Sequence, residues 1–466
     1  MDLPDLCSLS PLDSRYAGIL SDFGQAVGEY ALFQRRTEIE IRWLLWLDQR
    51  LPNRLFPALS TKERATLEAR ISGFDSTAAL RIKSIESSVR HDVKAVELFL
   101  RESTAGETFG AALAPFWHFA ATSEDINNLA YGLIWKDAQQ NFLVPALNGI
   151  LDWLVKESRR HARAPMLSRT HGQPASPTTL GKELANFAWR LADSRDALSA
   201  FRFCGKFNGA VGNYNAHQAA LPDVDWVSLT AAFVRSFGLD FQPMTTQIEP
   251  HDRLSAWLDL LARTNRILVG LCRDFWGYIS WGYFVQRVIP GEVGSSTMPH
   301  KVNPIAFENA EGNLGVANAL LRHLSDKLPV SRFQRDLSDS TAQRSLTPAL
   351  GHTLLAWRTL REGLSRLDAD AERIRQDLVA HPEVIAEGLQ TLLRLRGDPD
   401  AYERLKSLTR GQSLDANSLK TWIQGLDLDA RTRQSLEHLT PVTYLGLAAE
   451  LAERFDELRN QASGHV

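Results

Sequence analysis

From Asp252 to Val285 the chain runs without a single proline, and Leu, Ile, Trp and Phe recur there between isolated charges. At a rise of 1.5 Å per residue such a stretch makes a rod of roughly 50 Å, longer than most helices of globular proteins. Similar proline-free stretches cover Thr179–Cys204, Ile305–Lys327 and Leu350–Val379. Between Glu29 and Leu47, the residues Leu32, Ile39, Trp43, Leu44, Trp46 and Leu47 fall at mixed three- and four-residue steps, the helical period. Strand signals are sparse: few alternating Val, Ile or Thr runs, and no Asn-Gly hairpin between them. The expected fold is all-α, with several long helices packed side by side in a bundle. The segment Ala256–Tyr283 is apolar around most of its circumference, so it needs neighbours on most sides. A helical oligomer is the economical source of them, a large monomeric bundle the alternative.

At 466 residues the chain exceeds one compact core. The composition shifts after about Ala369 toward Leu, Arg and Asp in shorter helical pieces, which suggests a small C-terminal domain. The division expected is an N-terminal helical domain over 1–111, a central long-helix domain over 112–366 and a C-terminal helical domain over 367–466. A formal net charge of −3 gives no field for nucleic acid or an anionic membrane, so any anion site must be a local cluster. Cys7, Cys204 and Cys272 form no CxxC pair, which argues against a disulfide framework or a thiolate metal site and fits a reducing cytoplasm. There is no signal-peptide pattern and no apolar run of membrane-spanning length. The expectation is a soluble, cytoplasmic protein without cofactor or metal.

Two polar segments carry chemistry. In GEVGSSTMPHKVNP (291–304), Gly291, Gly294 and the Ser295-Ser296 pair allow tight turns. His300, Lys301 and Asn303 then supply a cation, donors and an amide just ahead of Pro304 and a helix start, a setting that favours a carboxylate or phosphate. A solvated surface loop is the alternative. In SRTHGQPASPTT (168–179), His171 lies in a Gly/Pro-shaped turn, and its ordinary pKa suits proton transfer. Further polar clusters stand at expected helix ends: SVRHDVKAVE (88–97), ATSEDINN (121–128) and TTQIEPHD (245–252). In the second of these, Thr122 or Ser123 followed by acids reads equally as helix capping or as substrate binding. Arg332, Arg335 and Arg344, with Ser340 and Thr341, could grip a phosphate, and Ser14-Arg15-Tyr16 is a smaller cluster of that kind. Salt bridges on a surface face are the bland alternative.

GSSTMPHKVNP (294–304) closely resembles the signature loop of the fumarase/aspartase superfamily, whose members are helical tetramers that eliminate fumarate from succinyl compounds. His300, between Pro and Lys, resembles the adenylosuccinate lyase branch. SRTHGQPASPTTLGKE, TSEDINN, RHDVKAVE, NGAVGNYNAH (208–217), TTQIEPHD, AEGLQT (386–391) and LKSLTRG (405–411) point the same way, toward the long bacterial subgroup. The resemblance implies Ser295 as general base, His171 as general acid and His91 as a second site histidine that holds the substrate phosphate or orients the substrate. It implies Lys301, Asn303, Thr122, Ser123 and Gln247 around the succinyl carboxylates, and Glu308 as the carboxylate that orients His171. Arg15, Tyr16, Arg335, Ser340 and Arg344 match nucleotide and phosphate contacts, with Arg90 as a phosphate neighbour. Asp92, Thr170, Ser296 and Asn309, adjacent in these motifs, join the candidate substrate contacts. The family builds each site from three subunits of a homotetramer, so shared active sites are implied too. Argininosuccinate lyase is the nearest rival, but its guanidino substrate carries no phosphate for the arginine cluster. A catalytically silent helical scaffold finds no support in the residues present. No Walker loop supports an NTPase.

Overall fold

Long helices dominate the computed structural model, which describes residues 7–291, 297–409, 416–427 and 429–462. The rod anticipated between Asp252 and Val285 is a helix over Asp252–Ser280, and those at Leu180–Ala200 and Ile305–Lys327 follow the other proline-free stretches closely. The fold is all-α, as the periodicity requires. The stretch 350–379 is broken, however: the helix Leu346–Ser365 gives way to a short strand, Leu367–Ala369, before a new helix at Ala371–Val379. Asp370 causes the restart by capping, its carboxylate accepting the Arg373 amide at 2.9 Å.

The residues cluster into two compact units. The first gathers 1–146, 195–266 and 312–356. Its helices begin where side chains can take up the free amides. Ser60 and Glu63 cap the helix Thr61–Ser72 reciprocally, Asp75 caps Ser76–Val89, and the His91 ring caps Asp92–Thr104. Phe33, Ile41, Leu44, Leu67, Ile82, Val96, Leu100, Leu113 and Trp117 form one continuous core among them. The helix Ser123–Ala138 is buried along most of its length, polar residues included, and runs into a π-helical turn at Gln139–Leu143. There Gln139 accepts the Trp257 indole N–H at 2.7 Å. Further along the same bundle, Ser325 donates to Asp259 at 2.8 Å, Asn265 donates to Thr353 at 3.2 Å, and His352 meets Asn313 at 2.8 Å. Such polar contacts between apolar helix faces penalise any slip of register, because a slipped helix would bury them unpaired.

The second unit gathers 147–194, 267–311 and 357–466. Its C-terminal helices enclose a core of Leu378, Ile385, Leu389, Leu393, Leu405, Leu419, Ile423 and Leu436 with Leu167. Phe275 stacks on Phe307 at 5.6 Å between centroids, joining the long helices of this unit. The segment read as a loop over 168–179 is a β-hairpin: Pro165–Thr170 pairs antiparallel with Gln173–Thr179. Two other short strand pairs exist among the described residues, Cys204–Gly205 with Asp240–Phe241 and Phe284–Gln286 with Leu367–Ala369. All three cysteines are free. No described helix is long and apolar enough to cross a membrane.

His217 is fully buried in the first unit among Trp43, Phe207, Tyr214 and Trp226, and neither ring nitrogen has a partner among the described residues. Burial pushes its pKa down to about 4, with Asp125 pulling up and Lys206 adding to the drop. The folded protein therefore binds fewer protons than the unfolded chain between about pH 6.5 and 4, and stability falls as pH falls through that window. The loss from this one group should approach about 3 kcal/mol at the acid end. Urea unfolding at several pH values should show a shallower decline over that window in His217→Phe than in the native protein. An unchanged slope would show that His217 titrates normally.

Candidate functional site

The turn between the hairpin strands consists of His171 and Gly172, with φ of 53° and 75°. Two consecutive left-handed residues make the two-residue turn that matches the twist of a hairpin, and they put the exposed His171 at its tip. Arg169 in the first strand is tied to Asp377 at 2.8 Å and lies over the Trp281 ring, so the hairpin base is held by charge and packing. Thr170, the residue before His171, is exposed and pairs with Gln173. Lys301 follows a turn in which its amide donates to the Met298 carbonyl at 3.1 Å. Asn303 and Pro304 then lead into the helix Ile305–Lys327, whose first turn carries Glu308, with Asn309 next. The exposed Glu308 accepts the Trp276 indole N–H at 3.1 Å; that contact, not one with His171, occupies it among the described residues. Ser295 and Ser296 lie outside the described residues.

In the first unit, a cavity of about 460 Å³ collects Arg90, His91, Asp92, Thr122, Ser123, Gln247, Arg335, Ser340 and Arg344, joined by Glu86, Asn127 and Leu337. That volume lies in the range of small-molecule sites. Four segments, remote in sequence, are thus brought to one place. Arg15 and Tyr16 are not part of this lining; Arg15 instead stands 5.9 Å over the Tyr16 ring, at the start of the helix Ala17–Val27.

Local structure explains each placement. Arg90 closes the helix Ser76–Val89 in a left-handed conformation, and His91 at once opens the next helix. The Lys94 amide donates to His91 Nδ1 at 3.1 Å, so the neutral ring carries its proton on Nε2. Asp92 is tied to Arg36 at 2.7 Å, and Arg36, itself buried, also donates to Asn127 at 2.8 Å. Burial works against ionisation of Asp92, but Arg36, the Val93 amide and His91 outweigh it and hold the carboxyl below its usual range. Thr122 and Ser123 stand at a helix start and at the cavity together. They begin the helix Ser123–Ala138, with Asp125 accepting the Thr122 amide at 2.9 Å, and they line the cavity.

Asp125 is the hub. Fully buried, it pairs with the fully buried Lys206 at 2.8 Å and accepts the Asn208 and Gly209 amides, each at 3.0 Å. Asn128, one turn later, accepts the Lys206 amide at 2.8 Å and donates to the Lys206 carbonyl at 3.0 Å. The segment 204–209 is thereby hooked to the helix that presents Thr122 and Ser123. On the other side, Gln247 donates to the Ala210 carbonyl at 2.9 Å and accepts from Arg335 at 2.9 Å.

The approach to Thr122 is strained. His118 and Ala120 both have left-handed φ, 63° and 56°, where side chains other than glycine pay a cost. Two contacts hold that turn: His118 meets the buried Glu40 at 2.6 Å, and the Trp43 indole donates to the Phe119 carbonyl at 2.9 Å. Burial alone would lower the pKa of His118, but Glu40, with Glu97 and Asp125, raises it. No motif marks this clamp in the sequence. Its signal was a lone His in an aromatic run four residues before Thr122. Among the described residues, no group of three or more His, Cys, Asp or Glu is arranged to hold a metal ion.

Residues 52–318 match the model of a family described as "Lyase", and residues 331–445 match "Adenylosuccinate lyase C-terminal". The fold is shared with a solved fumarate lyase from Mesorhizobium sp. BNC1 (TM-score 0.76, 18% identity, 93% of this chain and 97% of that one). It is shared also with the 3-carboxy-cis,cis-muconate lactonizing enzyme of Pseudomonas putida (TM-score 0.72, 21% identity, 96% and 98%). These define a lyase fold. Much nearer in sequence are adenylosuccinate lyases from Escherichia coli K12, 45% identical over 98% of this chain and all of the relative, and from Legionella pneumophila strain Corby, 46% identical with the same coverage. The chain belongs to the adenylosuccinate lyase family.

The hub carries a testable cost. Replacing Lys206 by Met leaves Asp125 buried without its cation, and loss of one partner of a buried pair costs about 3 kcal/mol or more. Urea unfolding of Lys206→Met should show that loss; an unchanged midpoint and slope would make the pair dispensable.

Proposed function

We propose that this chain cleaves the C–N bond of adenylosuccinate to release fumarate and AMP, and that of succinylaminoimidazole-carboxamide ribonucleotide to release fumarate and AICAR, as an enzyme of purine nucleotide biosynthesis in the cytoplasm. The observation that carries this reading is the cavity in which Arg90, His91, Arg335, Ser340 and Arg344 converge, a local cationic cluster on a chain of net charge −3. A phosphate monoester is the guest that bidentate arginines and a hydroxyl recognise best.

The chemistry assigns the remaining roles. A base takes the proton from the carbon beside one succinyl carboxylate, the electron pair forms the C=C bond of fumarate, and the C–N bond breaks. An acid returns a proton to the leaving nitrogen. Abstraction beside a carboxylate builds a second negative charge there, so positive charge and donors at that group are the largest need. Lys301 and Asn303 supply them in this reading, with Thr122, Ser123 and Gln247 as further donors. Ser295 is the base. Its hydroxyl is hardly ionised in water, and the charge of Lys301 would lower that cost. His171, exposed on its hairpin, is the acid, on the face opposite the base, which makes the elimination trans. Glu308 would favour the charged form of His171 once assembly brings it near. Arg15 and Tyr16 complete the nucleotide side, with Asp92, Thr170, Ser296 and Asn309 as neighbouring contacts.

Active sites shared among the subunits of a homotetramer fit this reading. Trp276, Ile305 and Val316 are exposed apolar side chains on the two longest helices among the described residues, a pattern that assembly would cover. The mechanism uses no metal or cofactor.

Absorbance assays of fumarate release should show turnover of both nucleotides, unaffected by a chelator. Activity on argininosuccinate alone would overturn the substrate assignment, and loss of activity in chelator would overturn the metal-free mechanism. His171→Ala and Ser295→Ala should each lower kcat by about 100-fold or more while leaving the oligomer, measured by sedimentation, intact. Near-native turnover in either would remove that residue from the mechanism.

A further inference from the structure

Behind the cavity wall lies a group of buried charges that the reaction as described does not use. Glu124 is 4% exposed, in the first turn of the helix Ser123–Ala138, and its Oε2 stands 3.5 Å from Arg335 Nη2. Asn127 Nδ2 approaches the same oxygen at 3.5 Å. Asp339, Glu249 and His251 are buried too, with His251 Nε2 3.8 Å from Asp339 and Nδ1 3.6 Å from Glu249. Burial pushes the Glu124 carboxyl up and Asp339 adds to the push, while Arg335, His251 and Lys206 pull it down.

Arg335 forms part of the cavity lining and Glu124 does not. The guanidinium is held at two corners. Nη1 donates to Gln247, whose own amide is fixed by the Ala210 carbonyl, and Nη2 faces Glu124; Nε is buried without a partner among the described residues. A long arginine side chain has many rotamers, and two fixed corners select one of them. We propose that Glu124 is a positioning residue: from behind the wall it holds Arg335 and, through it, Gln247, so that the remaining donors of the guanidinium meet the anionic end of the nucleotide already oriented. This rests on Arg335 being a phosphate contact, as read above. The Glu124 carboxyl lies outside the cavity lining. Its effect belongs to binding of the nucleotide and not to proton transfer, so KM should move and kcat should not.

Glu124→Leu removes the acceptor and keeps much of the volume; Glu124→Gln keeps an acceptor. With adenylosuccinate as substrate, Glu124→Leu should raise KM about tenfold or more with kcat within about threefold, and Glu124→Gln should recover most of that loss. In an Arg335→Lys background the same Leu substitution should change KM by less than about threefold, because the group it positions is gone. A KM for Glu124→Leu within about twofold of the native value, or an equal factor in both backgrounds, overturns the proposal. Should Glu124→Leu fail to fold, Glu124→Ala, which also removes the acceptor, goes through the same cycle with Arg335→Lys and is decided by the same non-additivity. The underlying reading fails separately: Arg335→Lys alone would then leave KM for adenylosuccinate unchanged.

Discussion

One buried ion pair organises the cavity. Two fully buried charges are costly to desolvate, and Asp125 and Lys206 are tolerable only because each is also tied to the backbone or to a neighbouring group. The Asp125 carboxylate serves the Thr122 amide, the Asn208 and Gly209 amides and the Lys206 ammonium together. A shift of the segment 204–209 against the helix Ser123–Ala138 would break several of these at once. Rigidity at that point fixes where Thr122 and Ser123 stand, and the neighbouring contacts of Gln247 with Ala210 and Arg335 extend it across the cavity. The strained turn at His118–Ala120 is affordable for the same reason: Glu40 and Trp43 over-determine it.

Electrostatics follows from this framework. Of the acids at the cavity, Asp92 in the lining is tied to Arg36 and Glu124 outside it faces Arg335, while Arg90 and Arg344 are exposed. A chain that is weakly acidic as a whole can in this way offer a local site for an anion, where arginine donors act in a partly desolvated setting. The second unit makes its contribution differently. His171 stands on a hairpin tip whose left-handed turn is local chemistry, and whose base is anchored by Arg169 to Asp377.

How much of this was legible in the sequence depended on the range of the interaction. The long helices were legible, because absence of proline and a 3.6-residue period act within one segment. The hairpin was not: Pro174 and Pro177 argue against a strand, and a His-Gly turn is a weaker signal than Asn-Gly. The composition shift marks a boundary near Ala369, but the helix restart at Asp370 is not legible, because a cap inside a proline-free run looks like one more charged residue. Motif resemblance named nine of the side chains that line the cavity, although nothing local says that residues 90 and 335 meet. It also named Arg15 and Tyr16, which the cavity does not include. Glu124 escaped notice because its partner is remote in the chain and its position in TSEDINN reads as capping.

The account stands on the claim that the arginine-lined cavity takes the phosphate end of a succinyl nucleotide while Lys301 and Asn303 take the succinyl end. A crystal structure of the His171→Ala protein soaked with adenylosuccinate tests this most directly. The account predicts the phosphate on Arg335, Ser340, Arg344 and His91, with the succinyl carboxylates against Lys301 and Asn303. A phosphate bound elsewhere, with the cavity empty or holding the succinyl group alone, would contradict it.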